Sequence, residues 1–284
     1  MPIDRDKVLD YKFPATEGGW SRDDAILYHL GVGAGVPQTD PGELEYTYEK
    51  NLKVLPSFST VADLGGFPNL LKVPGLEFDM ALVLHGEEEI ELHQPLPPEA
   101  KLTSETRIAE IYDKGKAALL ILEVGAKDTE GVPLFTNRMS LFLRGEGGFG
   151  GPSGPKAQYA APDRAPDGTV ESKTLPQQAL LYRLNGDKNP LHCDPDFAKL
   201  AGFETPIIHG LCSYGIACKA VVDSALGGDV TRVAGYSARF AGVGFPGETF
   251  VTRYWREGET ILIECHAKER DAIVISNAAF QLRS

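Results

Sequence analysis

Residues 182–211 carry the densest group of side chains that could do chemistry in this chain. Asp187, Asn189 and His192 lie close together there, on a backbone that an Asn-Gly and an Asn-Pro pair bend into turns. A carboxylate and an imidazole that converge on one point can hold a water by two hydrogen bonds and move protons on and off it. Such general acid–base catalysis contributes roughly 10²- to 10⁴-fold in rate.

His209 and Gly210 stand directly before an apolar pattern that predicts a helix over residues 210–226. The free N–H groups and the positive dipole of a helix start favour a developing oxyanion, and glycine lets a ligand approach the backbone closely. A carbonyl held at Gly210, beside a water held by Asp187 and His192, suits addition of water to the β-carbon of an α,β-unsaturated carbonyl, or the reverse elimination. For His209 we favour a structural role, in which it closes the loop by hydrogen bonding.

Each of these residues also has a structural explanation when it is taken alone. Asp187 could be a turn residue, His192 a packed histidine and Asn189 a turn former before proline. Their occurrence together, with His-Gly at a helix start, favours chemistry. Cys193 would point away from His192 in an extended backbone, and the sequence has no GxSxG nucleophile elbow, so covalent catalysis is disfavoured.

The elements that must position these residues form a repeated layout. Three strand-like segments follow one another over residues 102–144, and the same series returns over residues 249–282. Glycine and proline dominate the stretch between the two copies and preclude regular structure there. We therefore predict an N-terminal unit over residues 1–150, a linker over 151–168 and a second unit over 169–284.

A curved antiparallel sheet around one long apolar helix would satisfy the pattern of the second copy, which predicts an α+β fold. In the first copy, residues 52–64 predict a turn at Pro56 followed by a helix. Residues 21–30 predict another short helix, with Ser21 as its N-cap and Asp24 in an imperfect capping box. The GVGAG that follows is a helix stop rather than a dinucleotide loop, because it follows a helix and not a strand.

Two histidines flank a run of glutamates at residues 85–93 and could suggest a metal site. The alternation of Ile90 and Leu92 with Glu89, Glu91 and His93 instead favours a half-exposed strand with a charged outer face. We therefore predict no metal site in this chain.

Composition excludes several classes of function. The net charge of −12, without a basic stripe, argues against nucleic-acid binding but not against a small anionic ligand. Four cysteines without CxxC spacing indicate reduced thiols in a cytoplasmic protein. No apolar run approaches the roughly 18 residues that a membrane span needs, so we expect no membrane partner.

The segment YRLNGDKNPLHCDPDFAKLAGFETPIIHGL resembles the signature of the MaoC-like hydratases, specifically the hydratase 2 family of (R)-specific enoyl-CoA hydratases. The resemblance continues through ILYHLGVGAG, YEKNLKVLPSF, LHGEEEIELHQPLP and RGEGGFGG, as in the two-domain form of peroxisomal multifunctional enzyme type 2. It implies a double hot dog fold, in which each unit wraps a curved antiparallel sheet around a central helix. It also implies reversible hydration of trans-2-enoyl-CoA to (3R)-3-hydroxyacyl-CoA without a metal or redox cofactor.

Matching positions carry the family's site residues onto this chain. The resemblance implies that Asp187 and His192 form the catalytic dyad, that Asn189 orients within the site and that the Gly210 amide polarises the thioester carbonyl. The first unit has no such motif. We therefore expect one active site per chain, and a first unit that accommodates the acyl chain in a tunnel widened by residues 65–75.

The expected partners are an acyl-CoA thioester and a second copy of the chain in a homodimer. For the coenzyme phosphates we name Lys188, Arg183 and Arg239, by their nearness to the motif or to the sheet that follows it. Three other functions remain open: a (3R)-hydroxyacyl-ACP dehydratase that differs in its carrier, a hot dog thioesterase that places water at the carbonyl carbon, and a non-catalytic acyl-CoA-binding module.

Overall fold

A computed structural model describes residues 3–155 and 158–283. The N-terminal half starts with short helices and one short strand and continues into four long strands. Its elements are α1 (Arg5–Asp10), β1 (Thr16–Trp20), α2 (Arg22–Gly31), α3 (Pro41–Thr47), α4 (Ser59–Ala62), β2 (Val83–Leu92), β3 (Ala100–Asp113), β4 (Ala117–Asp128) and β5 (Pro133–Arg144).

The C-terminal half contains the long helix and five further strands. Its elements are β6 (Gly168–Lys173), α5 (Gln178–Tyr182), α6 (Pro195–Leu200), α7 (Gly210–Leu226), β7 (Val233–Phe240), β8 (Thr249–Glu257), β9 (Thr260–Ala267) and β10 (Ala272–Leu282). The two predicted strand series are confirmed as β3 to β5 and β8 to β10. Between β5 and β6 the described residues contain no helix or strand.

All ten strands belong to one antiparallel sheet in the order β1-β3-β4-β5-β2-β7-β10-β9-β8-β6. The two halves meet where β2 pairs with β7, with Glu88 opposite Ala238 and Ile90 opposite Tyr236. These four side chains are buried and share the inner face of the sheet. The sheet and its helices confirm the predicted α+β class.

The predicted helix over residues 210–226 is confirmed as α7, and it is buried along most of its length. At Gly215 a Cβ atom would lie 2.6 Å from the Tyr28 hydroxyl, so glycine permits α2 to approach α7 closely. Gly227 ends the helix in the left-handed conformation, with φ of 64°. No helix in residues 3–155 or 158–283 has the length and apolar character needed to cross a membrane.

The helix predicted in the first unit exists but is short. After the 3₁₀ turn Pro56–Phe58, α4 ends at Ala62, and Asp63 is extended. Gly65 has a φ of 50°, and a Cβ atom there would lie 2.5 Å from the Thr106 hydroxyl. The chain passes against the sheet at this point, which leaves no room for the helix to continue.

His29 on α2 joins three segments of the N-terminal half. Its Nδ1 lies 2.7 Å from the Tyr46 carbonyl oxygen, and its Nε2 accepts the N–H of Leu55 at 3.1 Å. Burial lowers the pKa of His29 to about 4, so the ring is neutral at neutral pH and both of its nitrogens have partners. The predicted capping box at the start of α2 is also present, because Ser21 and Asp24 exchange hydrogen bonds.

Candidate active site

The loop between α5 and α6 holds Asp187, Asn189 and His192, the polar residues predicted to form the site. Gly186 has a φ of 120°, which a residue with a side chain rarely adopts, and it turns the chain towards Asp187. The Asp187 carboxylate accepts the N–H of Asn189 at 3.0 Å. The Asn189 side chain in turn accepts the N–H of Leu191 at 3.0 Å and starts the 3₁₀ turn Pro190–His192. Asp187 and Asn189 therefore fix the loop as well as line the site.

His192 is oriented by one backbone bond. Its Nδ1 lies 2.9 Å from the Ile207 carbonyl oxygen, which can only accept, so Nδ1 carries the proton and Nε2 keeps a lone pair. The His209 ring stacks on His192 with centroids 3.7 Å apart. His209 also donates from Nε2 to the Asp187 carbonyl oxygen at 3.3 Å. This bond is the loop-closing contact predicted for His209.

Burial sets the protonation state of both rings. His192 is 8% exposed, and burial lowers its pKa below the ordinary 6.5, although the Ile207 carbonyl and the Asp187 charge oppose that change. The pKa of His209 is lowered to about 4, mainly by burial and to a smaller extent by the nearby His192. Both imidazoles are therefore neutral at neutral pH. The side chains of Asp187, His192 and His209 each place one polar atom within 4.8 Å of the other two. The neutral His192 ring and the exposed Asp187 carboxylate therefore lie close enough to contact the same small ligand.

Gly210 is the first residue of α7, and its N-cap His209 makes no side-chain bond to the first turn. The amides of Cys212 and Ser213 donate to the His209 carbonyl. Within residues 3–155 and 158–283, the N–H of Gly210 has no acceptor. Gly210 is exposed, and the ring of Phe240 stands 3.3 Å from where its Cβ would lie. The amide of Gly210 is thus open to a ligand that lies beside an aromatic wall.

One cavity of about 1720 Å³ contains all four predicted catalytic residues in its lining: Asp187, Asn189, His192 and Gly210. Both halves of the chain contribute to it. The C-terminal half supplies the loop, the start of α7 and β7, whereas the N-terminal half supplies β2 and the segment around Leu64 and Phe67. The volume is large enough for an extended ligand.

The three cations named for phosphate binding differ in their surroundings. Arg239 bonds twice to Glu87, at 2.6 and 2.8 Å, and Arg183 donates to the Lys188 carbonyl. Lys188 is exposed and lines the cavity, and no residue described in the structure binds its ammonium group. Lys188 is therefore the one of the three that stands free for an anion.

The sequence placed His85 in a half-exposed strand with a charged outer face and gave no role to Glu88, yet both residues face the cavity. His85 Nε2 lies 2.9 Å from Glu88 Oε2, and both residues line the cavity. His93 lies elsewhere and contacts Thr136, so the two histidines do not form one site. The sequence could have indicated the position of Glu88. Side chains two residues apart in a strand share a face, so Glu88 lies on the same inner face as Ile90.

Two protein families match the chain. Residues 19–145 match the MFE-2 hydratase 2 N-terminal domain, and residues 157–278 match the MaoC like domain. Enoyl-CoA hydratase ChsH3 of Mycobacterium tuberculosis is 47% identical over 97% of this chain and 98% of its own length. The chain belongs to the MaoC-like hydratase 2 family.

Further relatives support the same family. The peroxisomal enoyl-CoA hydratase 2 of Arabidopsis thaliana is 42% identical over 95% of this chain and 93% of its own length. A crystal structure of a MaoC-like dehydratase from Phytophthora capsici superposes with a TM-score of 0.88 at 33% identity, over 99% of this chain and 98% of the other. The predicted hydratase 2 resemblance and the double hot dog fold are confirmed.

We expect Asp187→Asn to lower the pKa of His192 further, because the Asp187 carboxylate is a charge that raises it. The measurement is an NMR titration of the ring nitrogens in the wild type and the variant. The resonances of His93, which lies outside the site, serve as the internal control. An unchanged or higher pKa of His192 in the variant would show that the two groups are not coupled.

Proposed function

We propose that this member of the hydratase 2 family adds water reversibly to trans-2-enoyl-CoA and forms (3R)-3-hydroxyacyl-CoA. One observation carries the proposal: a neutral His192 with its Nε2 lone pair available, the Asp187 carboxylate and the open Gly210 amide line the same cavity. The relatives named enoyl-CoA hydratase support the same chemistry.

In this mechanism, Asp187 and His192 hold the attacking water between them. His192 Nε2 takes one proton while the water oxygen bonds to the β-carbon, and the double-bond electrons move towards the thioester oxygen. The Gly210 N–H donates to that oxygen as its negative charge grows. The dyad then returns the proton to the α-carbon, so one water is added across the double bond and the dyad is restored.

The N-terminal half supplies an apolar branch of the cavity that suits the acyl chain. Thr60, Val61 and Leu64 lie in or just after the shortened helix α4, and Phe67 and Pro68 follow in the next 3₁₀ segment. The early end of α4 leaves this space open. We place the acyl chain there, and we place the coenzyme phosphates near Lys188.

Asp187→Asn and His192→Gln test the dyad. We expect each to lower kcat for hydration of crotonyl-CoA by about 10²-fold or more, because each removes one of the two groups that hold and deprotonate the water. Loss of absorbance of the enoyl thioester measures the rate. Circular dichroism and calorimetric titration with CoA establish that folding and binding are kept. Near-normal turnover in either variant would overturn the dyad.

Gly210→Pro and Gly210→Ala form a matched pair that tests the oxyanion donor. Proline is tolerated at the first position of a helix, and His209 already has the extended φ and ψ, −57° and 138°, that a residue before proline prefers. Both variants add a Cβ against Phe240, but only proline removes the N–H. We expect kcat of Gly210→Pro to fall about 10²-fold below that of Gly210→Ala. Equal rates would show that the amide does not act on the carbonyl.

Leu64→Trp tests the position of the acyl chain. A larger ring in the apolar branch should exclude long chains and leave crotonyl-CoA unaffected. We expect the ratio of kcat/KM for decenoyl-CoA to that for crotonyl-CoA to fall about tenfold, as the loss of about two buried methylene groups would produce. Leu71→Trp is the control, since Leu71 is exposed and lies outside the cavity lining. The same ratio in both variants would place the chain elsewhere.

The alternatives differ in product or carrier. A thioesterase releases free thiol, which a thiol reagent detects, whereas a hydratase releases none. A dehydratase for acyl carrier protein has a higher kcat/KM for the ACP thioester than for the CoA thioester. A non-catalytic acyl-CoA-binding module converts neither thioester. A chiral separation of the product establishes whether it is the (3R) isomer.

We also propose that the chain forms a homodimer and works in the cytoplasm. Its four cysteines are free thiols, as a reducing compartment requires. Light scattering coupled to size exclusion gives the mass of the assembly. Cell fractionation decides the compartment, and recovery in an organelle would contradict the proposed location.

A further inference from the structure

Glu88 on β2 is a buried carboxylate that the proposed mechanism does not use. It is 1% exposed, and it faces the cavity beside the N-terminal unit's His85. Burial raises the pKa of Glu88, and the bond with His85 opposes that rise. A buried acidic group is costly unless it has a partner. His85 is that partner, with 2.9 Å between its Nε2 and Glu88 Oε2.

A β-bulge makes this contact possible. In a regular strand, residues three apart point to opposite faces, so His85 and Glu88 would lie on opposite sides of the sheet. The pairing of β2 with β5 shifts register between His85 and Glu87, where Gly86 is the extra residue. The bulge turns His85 to the face that Glu88 already occupies. Bulges beside active sites commonly redirect one side chain in this way.

The pair reaches the proposed oxyanion donor through one aromatic ring. The His85 ring meets Phe240 of β7 edge to face, with centroids 4.9 Å apart. Phe240 in turn lies against Gly210, 3.3 Å from the site of a Cβ atom. A continuous chain of contacts therefore runs from Glu88 through His85 and Phe240 to the first amide of α7. All four of these residues line the cavity.

We propose that Glu88 is a positioning residue of the active site: by holding His85 against Phe240 it fixes the wall that orients the thioester carbonyl towards the Gly210 N–H. The inference rests on the proposed function and extends it. The N-terminal unit, which lacks the catalytic motif, then contributes to the geometry of the reaction and not only to the space for the acyl chain.

Glu88→Leu and Glu88→Gln test this role, with Glu105→Leu as the control. Glu88→Leu removes the bond to His85 and puts an apolar side chain of similar length in the buried position. We expect its kcat for crotonyl-CoA to fall about tenfold while KM changes less than about threefold, because a misplaced carbonyl costs more in the transition state than in binding. Glu88→Gln keeps a hydrogen-bonding group and should retain about half of kcat or more. Glu105→Leu is the control and should leave kcat unchanged, since Glu105 on β3 is exposed, pairs with Lys127 and lies outside the cavity lining.

A double-mutant cycle separates positioning from a general loss of structure. If Glu88 acts through His85, then Glu88→Leu added to His85→Leu lowers kcat no further than His85→Leu alone. Additive losses, or an unchanged kcat in Glu88→Leu, would overturn the proposal. If Glu88→Leu does not fold, kcat of His85→Leu is compared with kcat of Glu88→Gln. A lowered kcat in His85→Leu with a retained kcat in Glu88→Gln supports the proposal, and equal kcat values contradict it. A wild-type protein without hydration activity would instead overturn the proposed function.

Discussion

Backbone pairing between β2 and β7 joins the two halves of the chain into one sheet, and the site depends on its register. Without this pairing, β2 and β7 would each leave an edge of unpaired N–H and C=O groups. The observed register places Glu88 opposite Ala238 and Ile90 opposite Tyr236 on the inner face. A shift of one residue would turn the β2 side chains outward and remove the contribution of β2 to the cavity. Both halves of the chain therefore line the proposed active site because the sheet is continuous.

Three histidines of the molecule are buried and neutral. His29, His192 and His209 are buried, and burial lowers the pKa of each. Each neutral ring donates a single N–H to a backbone carbonyl, and this bond offsets part of the cost of burying the ring. For His192 the same bond that stabilises the buried ring also chooses the tautomer. It leaves Nε2 as an acceptor, which is the state that a general base needs.

The two halves of the chain differ in the helix that packs against the sheet. In the second unit α7 is long, buried and begins with an open amide at Gly210. In the first unit α4 has only four residues, because the chain turns against the sheet at Gly65. The missing helical turns leave volume in the cavity. The proposed catalytic groups and the proposed space for the acyl chain therefore come from different halves of the chain.

The sequence by itself determined the local features of this protein. Glycine and asparagine turns, the apolar stripe of residues 210–226 and the alternation of the strands predicted the elements, and the spacing of Asp187, Asn189 and His192 predicted the loop of the site. These features depend on neighbours within a few residues. Only the tertiary structure decided which cations stand free, where α4 ends and how His85 reaches Phe240. A bulge, an ion pair such as that of Arg239 with Glu87 and the pairing of β2 with β7 each depend on residues far apart in the chain, and periodicity along the sequence carries no information on such contacts.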